Sequence, residues 1–386
     1  MMITMGARQS LGLFVSPLNT STGLGIASIS LAMAVAQFVW GAVQPIAGAV
    51  ADRYGPGRVI FAGIVLLSLG SALTPLMHST WGLCFSIGLL SAAGSGSASF
   101  SVLIGATANR ISAERRGMAS GVINAGGSFG QFVFAPVLQK LIQSMGWMGA
   151  MWSMAAVTLT ALPLAFTLRR PQQSAAEKHA ALNDGPGLGR SVRDALQDRS
   201  YLLLHAGFFT CGFHIAFLVT HLPGEVALCG LSAGVASWSL AIIGLANIAG
   251  SLAAGWAVAR YRSKYVLFWM YSSRALLVLV YLAAPKTAPT FYIFAAGLGF
   301  TWLATVPPTA AVVGKLFGSR YLGTLFGLTL LSHQIGGFLG AWLGGLAISN
   351  LGSYDLMWWA DIALASLAAL CNLPIREAPV RQLVPA

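Results

Sequence analysis

Apolar runs of about 20 residues, the length a helix needs to cross the hydrocarbon core of a bilayer, follow one another along almost the whole chain. Twelve are marked off by charge, Pro or Gly: residues 3–18, 26–50, 58–77, 81–106, 117–142, 147–168, 201–223, 231–258, 265–284, 289–313, 323–348 and 354–373. A water-soluble globule has no use for so many. Of the 386 residues 56% are hydrophobic and only 8% charged, against about 25% charged in an ordinary soluble domain, so the charges cannot cover a surface. The solvent of this chain is lipid, and the expected fold class is an all-α membrane protein of twelve transmembrane helices. Forty-five glycines would signal loops in water; in lipid, small residues let helix backbones approach closely.

One long polar stretch, 169–200, is rich in charge and broken by Pro and Gly. It separates an N-terminal six-helix half, 1–168, from a C-terminal six-helix half, 201–373, and a tail, 374–386, follows. Positively charged loops stay cytoplasmic. With the N-terminus inside, eighteen Lys and Arg fall in the loops after spans 2, 4, 6, 8 and 10 and in the tail, whereas Lys140 and Lys286 are alone on the opposite side. The expectation is a multi-pass cell-membrane protein, in the inner membrane if bacterial, with both termini cytoplasmic. Span 1 begins at residue 1 without a polar leader, and the residues that follow its apolar part, Ser16-Pro17-Leu18-Asn19, do not resemble a signal cleavage site; the reading is a true start upstream and a first helix lacking its cytoplasmic end.

The net charge of +12 would point to nucleic acid in a soluble protein, but here the cations lie between spans and report topology, so no nucleic-acid partner is expected. Cys84, Cys211, Cys229 and Cys371 are far apart without CxxC spacing, which gives neither a disulfide framework nor a metal site. No cofactor is expected.

The halves repeat. Gly117, Gly121 and Gly130 of span 5 are matched at a constant offset by Gly323, Gly327 and Gly336 of span 11, and GAVADRY at 48–54 is answered by GWAVARY at 255–261. Duplicated six-helix halves imply a pseudo-twofold transporter, a monomer in lipid, with its small-molecule site where the halves meet.

The stretch GAVADRYGPGRV, with Gly48, Asp52, Arg53, Gly55 and Arg58, resembles the loop 2–3 signature of the major facilitator superfamily, G-x-x-x-D-R-x-G with a basic residue shortly after. The resemblance implies a cytoplasmic gating loop, in which the Asp receives a guanidinium or faces the positive N-terminus of a helix in the other half. The second copy has Ala259 in place of the Asp. The run ERRGMASGVINAGGSFGQFVFAPVLQKLI, with Arg115, Arg116, Gly117, Gly121 and Pro136, and GARQSLGLFVSP at 6–17 are similar to the monocarboxylate transporter and oxalate/formate antiporter branch. That branch often carries a substrate-binding arginine on its eighth helix; here the corresponding stretch, Asn247-Ile248-Ala249-Gly250-Ser251, has serine instead.

Polar residues inside the spans are the site candidates. Arg8 leads, because a guanidinium in a span costs several kcal/mol unless it meets a cavity or partner, and first helices of the superfamily line the central cavity; the alternative is an internal pair. Asn124 and Gln131 on span 5, Asn247 on span 8, Trp302 on span 10, and His333 and Gln334 on span 11 complete the substrate-binding candidates. Arg274 on span 9 and Asp361 on span 12 are expected to neutralise each other as a buried ion pair, with proton coupling at Asp361 as the alternative. On span 7, His214 and His221 share a face about 10 Å apart, too far for one metal ion, and His205 points away.

Neither a Walker loop, G-x-x-x-x-G-K-[ST], nor an HExxH or an intramembrane carboxylate pair occurs, so neither a nucleotide-driven pump nor an enzyme is expected. The function expected is secondary active transport of a small organic solute, an organic anion such as a monocarboxylate, by alternating access with proton symport or exchange. Drug or metabolite efflux, and a non-transporting membrane sensor, are the competing readings.

Overall fold

The computed structural model describes residues 1–99, 102–103, 116–167, 187–318 and 321–378, without the side chains of Asp52, Arg53, residues 116–121 and Leu188. What it describes is almost wholly helical. In the N-terminal half, α1 (Met2–Gln9), a 3-10 turn (Leu11–Phe14) and α2 (Val15–Thr22) form span 1. Spans 2 and 3 are α3 (Ile26–Tyr54) and α4 (Pro56–Leu73). Span 4 is α5 (Thr80–Leu83), π-helical turns over Cys84–Ser91, and α6 (Ala92–Ser97). A single α7 (Arg116–Leu159) carries spans 5 and 6, turning at Gly146, whose φ of 74° lies in the left-handed region open to glycine; α8 (Leu162–Thr167) ends the half.

The polar linker contains α9 (Leu188–Gln197), a helix the sequence reading did not expect. The C-terminal half follows as α10 (Arg199–Leu228), α11 (Ala233–Arg260), α12 (Ser263–Ala283), α13 (Ala288–Thr301), α14 (Val306–Phe317), α15 (Leu322–Leu351) and α16 (Asp355–Asn372). Spans 7, 8 and 9 are α10 to α12, span 10 is α13 plus α14, and spans 11 and 12 are α15 and α16. Twelve spans in two six-helix halves are what the sequence implies, and the fold agrees. Apolar side chains facing outward confirm the solvent: Trp269 is 69% exposed and Ile293 72%, positions water would penalise and lipid does not.

Two spans expected to be continuous are broken. Span 10 opens between Thr301 and Val306, just before Pro307 and Pro308, which have no N–H to carry the helix back to Leu303 and Ala304; the carbonyls of Thr301 and Trp302 and the N–H of Leu303 find partners described below. Span 1 loses its α-helical pitch after Ser10. There it crosses α10 so closely that a Cβ on Gly12 would lie 2.0 Å from the carbonyl oxygen of Val219.

The repeat read from the glycines is a repeat of packing. On α7 a Cβ at Gly130 would lie 2.0 Å from the Met2 carbonyl oxygen, and on α15 a Cβ at Gly336 would lie 2.0 Å from that of Phe209. Span 5 therefore crosses span 1 as span 11 crosses span 7. Where no hydrophobic force distinguishes helix from lipid, such backbone contact is what holds the bundle.

Candidate functional site

Besides the crossing of span 1 over α10, two longer seams join the halves, α3 against α15 and α7 against α11. In the first, Ser30 meets Gly345, Gln37 meets Gly337 and Gly41 meets Gln334, an antiparallel register. The second repeats it: Gly244 lies over Ser128, Gln131 and Phe132, Asn247 bonds Ser128, and Asn124 bonds Ser251. Among the described residues, both seams lose contact at one end. Gly48, Gly255 and Gly327 stand on the same helix faces as the contacts beside them, yet a Cβ on any of them would meet none of the described residues within 4 Å. This open end is the one the cation-rich loops border.

Arg8 stands beside the α3/α15 seam. Its guanidinium donates through Nη2 to Gln37 Oε1 and through Nη1 to Gln9 Oε1 (3.4 Å), and lies 4.1 Å from the centre of the Trp40 ring. Among the described residues it meets no carboxylate. A narrow, largely apolar pocket of about 20 Å³ adjoins it, lined by Leu11, Ile87, Met151 and Met154 with Ser71, Thr74, Ser91 and Ser95 at its edge. Gln37 is bonded on one side to Arg8 and packed on the other against Gly337 of the second half, so this cation reaches the interface through it. Across that seam, Gln334 and His333 bond each other at 3.2 Å, and Gln334 Oε1 is buried without a partner.

The other seam collects Asn124, Gln131 and Asn247. Asn247 is 1% exposed and fully engaged: Nδ2 donates to Ser128 Oγ (2.8 Å), while Oδ1 accepts from Leu303 N–H (3.0 Å) and Ser251 Oγ (3.4 Å). It thus ties both halves to the break in span 10. Gln131 Nε2 is buried and unpartnered. Of the substrate-binding candidates, Arg8, His333 and Gln334 gather near one seam and Asn124, Gln131 and Asn247 at the other. Trp302 belongs to neither: it is fully buried within the C-terminal half, behind the seams.

Arg274 and Asp361 correct the expected ion pair. Arg274, 1% exposed, donates to the carbonyl oxygens of Thr301 and Trp302 (2.6 Å to the latter), to Thr301 Oγ1 (3.3 Å) and to Cys211 Sγ (3.3 Å). It satisfies the acceptors that the span 10 break leaves free, which a carboxylate could not do. Asp361 Oδ2 instead shares a hydrogen bond with His214 Nδ1, each residue being 1% exposed. His221, on the same face of α10, bonds the Ala341 carbonyl (2.7 Å) and Tyr354 (3.3 Å). His205 bonds Ser332 Oγ at 2.5 Å and borders a separate crevice of about 370 Å³ between α10, α15 and α16.

In the gating motif, Gly55 has a φ of 92° and ends α3, and Pro56 opens α4; the side chains of Asp52 and Arg53 lie outside the described residues. Gln37, Trp40, Ser128 and Cys211 escaped the sequence reading. Gln37 alone carried a signal, an amide midway along an apolar span.

A family model described as Major Facilitator Superfamily matches residues 1–228 and 227–386. Monocarboxylate transporter 13 of Rattus norvegicus is 29% identical over 358 residues, covering 89% of this chain and 78% of that protein. The oxalate:formate antiporter of Oxalobacter formigenes is 24% identical over 393 residues, covering 100% of this chain and 91% of that one. A crystal structure of a D-xylose-proton symporter superposes with a TM-score of 0.77 at 16% identity, over 97% of this chain and 96% of that chain, a likeness of fold. These matches bear out the resemblance carried by the loop 2–3 signature and the span 5 motif.

Proposed function

The chain belongs to the Major Facilitator Superfamily of transporters, and on that premise we propose that it moves a small organic anion, a monocarboxylate or related short carboxylate, across the cell membrane by alternating access. The observation that carries this reading is Arg8, a guanidinium in mid-span whose described partners are neutral amides and an aromatic ring. A buried cation attracts a counter-charge strongly in low dielectric, and a carboxylate cargo supplies it. The names of the relatives, monocarboxylate transporter and oxalate:formate antiporter, lend support.

The cation-rich loops support a reading in which the parted end of the seams, both termini and the central loop face the cytoplasm, and on that reading the form described is open inward. Closing that end brings the cytoplasmic parts of α3 and α15 together, with Asp52 as the electrostatic latch. Transport is driven by proton symport or by exchange with a second anion. Because Asn247 is fully engaged by protein, it holds the seam, and Gln131 and Gln334, which keep free polar atoms, are the better cargo contacts.

The test is uptake into proteoliposomes of labelled lactate, formate and oxalate, with lipophilic cations alongside. Saturable uptake of an anion by the wild type, abolished in Arg8→Ala at equal protein incorporation, is expected. Transport of cations only, or anion uptake unchanged in Arg8→Ala, would overturn it.

A further inference from the structure

The C-terminal half holds a buried polar cluster that the cargo contacts leave unused. Around His214 of α10, the packed elements supply Asp361 from α16, Arg274 and Tyr271 from α12, Trp302 and Thr305 from the span 10 break, His333 from α15, and Cys211 one turn back on α10. His214 Nδ1 bonds Asp361 Oδ2. With Asp361 as carboxylate, which only accepts, the proton of that bond sits on Nδ1. The far atoms of both groups are unused: His214 Nε2 and Asp361 Oδ1 are buried without a hydrogen-bond partner, as are Trp302 Nε1 and the Tyr271 hydroxyl. An ion pair kept only for stability needs its remaining lone pairs satisfied, and this one leaves them free.

We propose that the His214–Asp361 pair is the proton-binding site of transport, taking its exchangeable proton at His214 Nε2 and lying inside the C-terminal half instead of in the cargo cavity. The inference rests on the reading of the chain as an anion transporter. With one proton on His214, Arg274 and Asp361 cancel. A second proton, drawn from water on the side to which the protein is open and returned to water on the other, forms an N–H bond at Nε2 and leaves the cluster one charge positive; nothing is oxidised or reduced. An anion in the cavity offsets that charge, so proton and cargo bind together, and by linkage each raises the affinity for the other.

The path from cluster to seam is short. Arg274 is the positioning residue: it holds the carbonyls of Thr301 and Trp302, the next N–H, that of Leu303, is held by Asn247, and Asn247 holds Ser128 of the other half. Positive charge on His214 repels Arg274, which can retreat only by releasing those carbonyls. Protonation thereby loosens the break in span 10, the segment pinned at the contact between the halves. Coupling needs such an element with two arrangements that both sites bias.

Two measurements separate this site from the cargo reading. In nanodiscs without cargo, the ¹⁵N signals of the six histidines are followed with pH, and His214 is identified by the signal that His214→Gln removes. A change of the His214 Nε2 signal with pH that is displaced in Asp361→Asn is expected; a His214 signal independent of pH overturns the proposal. In proteoliposomes, uptake of lactate and oxalate is compared with and without an inward proton gradient, and the ratio is read for each variant, so lower total activity does not matter. The ratio is expected to be several-fold in the wild type and to fall to one in His214→Gln and Asp361→Asn, whereas Thr210→Val, on α10 but bonded only to the carbonyls of Ala206 and Leu364, keeps it. A gradient response retained by both variants overturns the proton site. If His214 titrates but neither anion moves, the anion reading fails and the proton site stands.

Discussion

Gly48 on α3 and Gly327 on α15 occupy matching places in one register without touching. Each lies seven residues beyond a contacting pair, Gly41 with Gln334, and seven residues return a helix to nearly the same face. Nevertheless a Cβ on either would meet none of the described residues within 4 Å, while at the other end of the seam a Cβ on Gly345 would lie 2.3 Å from that of Ser30. A cysteine pair at Gln37 and Gly337, where a Cβ on the glycine would lie 3.5 Å from that of Gln37, is expected to cross-link readily in the form described, and a pair at Gly48 and Gly327 to do so poorly, since a disulfide needs Cβ atoms about 3.5–4.5 Å apart. Conditions that close the Gly48 end should reverse both yields together. Measured by gel mobility in a background freed of the four native cysteines, simultaneous high yields at both pairs would exclude the rocking of rigid halves.

Arg8 is expected to resist replacement by lysine. Its fork spans Gln37 and Gln9 while its plane lies over Trp40, and an ammonium offers a point charge without that geometry. Arg8→Lys should therefore lose about tenfold in anion uptake, ~1.4 kcal/mol, despite retaining the charge, and Gln37→Ala should fall between it and the wild type. Initial rates at fixed anion concentration check this; full activity in Arg8→Lys would reduce the role of Arg8 to charge alone.

The span count and the repeat were legible because lipid imposes them: crossing length fixes the runs, and backbone approach fixes Gly130 and Gly336. The breaks were less legible. Hydropathy averages over a span, and Trp302-Leu303-Ala304-Thr305 is apolar enough to pass, so the only sign was Pro307-Pro308 just beyond. The pairing of Asp361 misled for a different reason. Charge sign proposes partners but not neighbours, and in three dimensions a nominally neutral side chain, His214, stands closer to Asp361 than the arginine does. The helix α9 was visible in principle as Leu188, Val192 and Leu196 at fourfold spacing, hidden within a stretch read as polar linker.

Asn247 should matter more for stability than its neighbour Asn124. Removing the Asn247 amide leaves the Leu303 N–H and Ser128 without their partners in a buried seam, and an unpaired buried polar group costs about 1–3 kcal/mol. Asn124 makes one long bond, 3.4 Å, at a part-buried position. Thermal unfolding in detergent is expected to show a marked drop in Tm for Asn247→Ala and almost none for Asn124→Ala. Equal drops would mean that the amide at 247 does not hold the break in span 10.

The pairing found for Asp361 reverses what a charge-based reading expects of double substitutions. If Arg274 and Asp361 were partners, changing both to leucine would restore stability lost by changing either, because no uncompensated charge would remain. In the arrangement observed, Arg274→Leu instead abandons the carbonyls of Thr301 and Trp302, and removing Asp361 as well does nothing for them. The coupled pair is His214 with Asp361, where a direct bond predicts an interaction energy of about 1–3 kcal/mol in a double-mutant cycle. Arg274 with Asp361, out of contact, should give a distinctly smaller one, and Arg274→Lys should recover only part of the loss, since three donors on one nitrogen cannot span two carbonyls, a hydroxyl and a thiol. Both cycles can be read from detergent melting curves of the single and double variants. Recovery in Arg274→Leu with Asp361→Leu, alongside additivity for His214 and Asp361, would show that the arginine and not the histidine is the functional counter-charge.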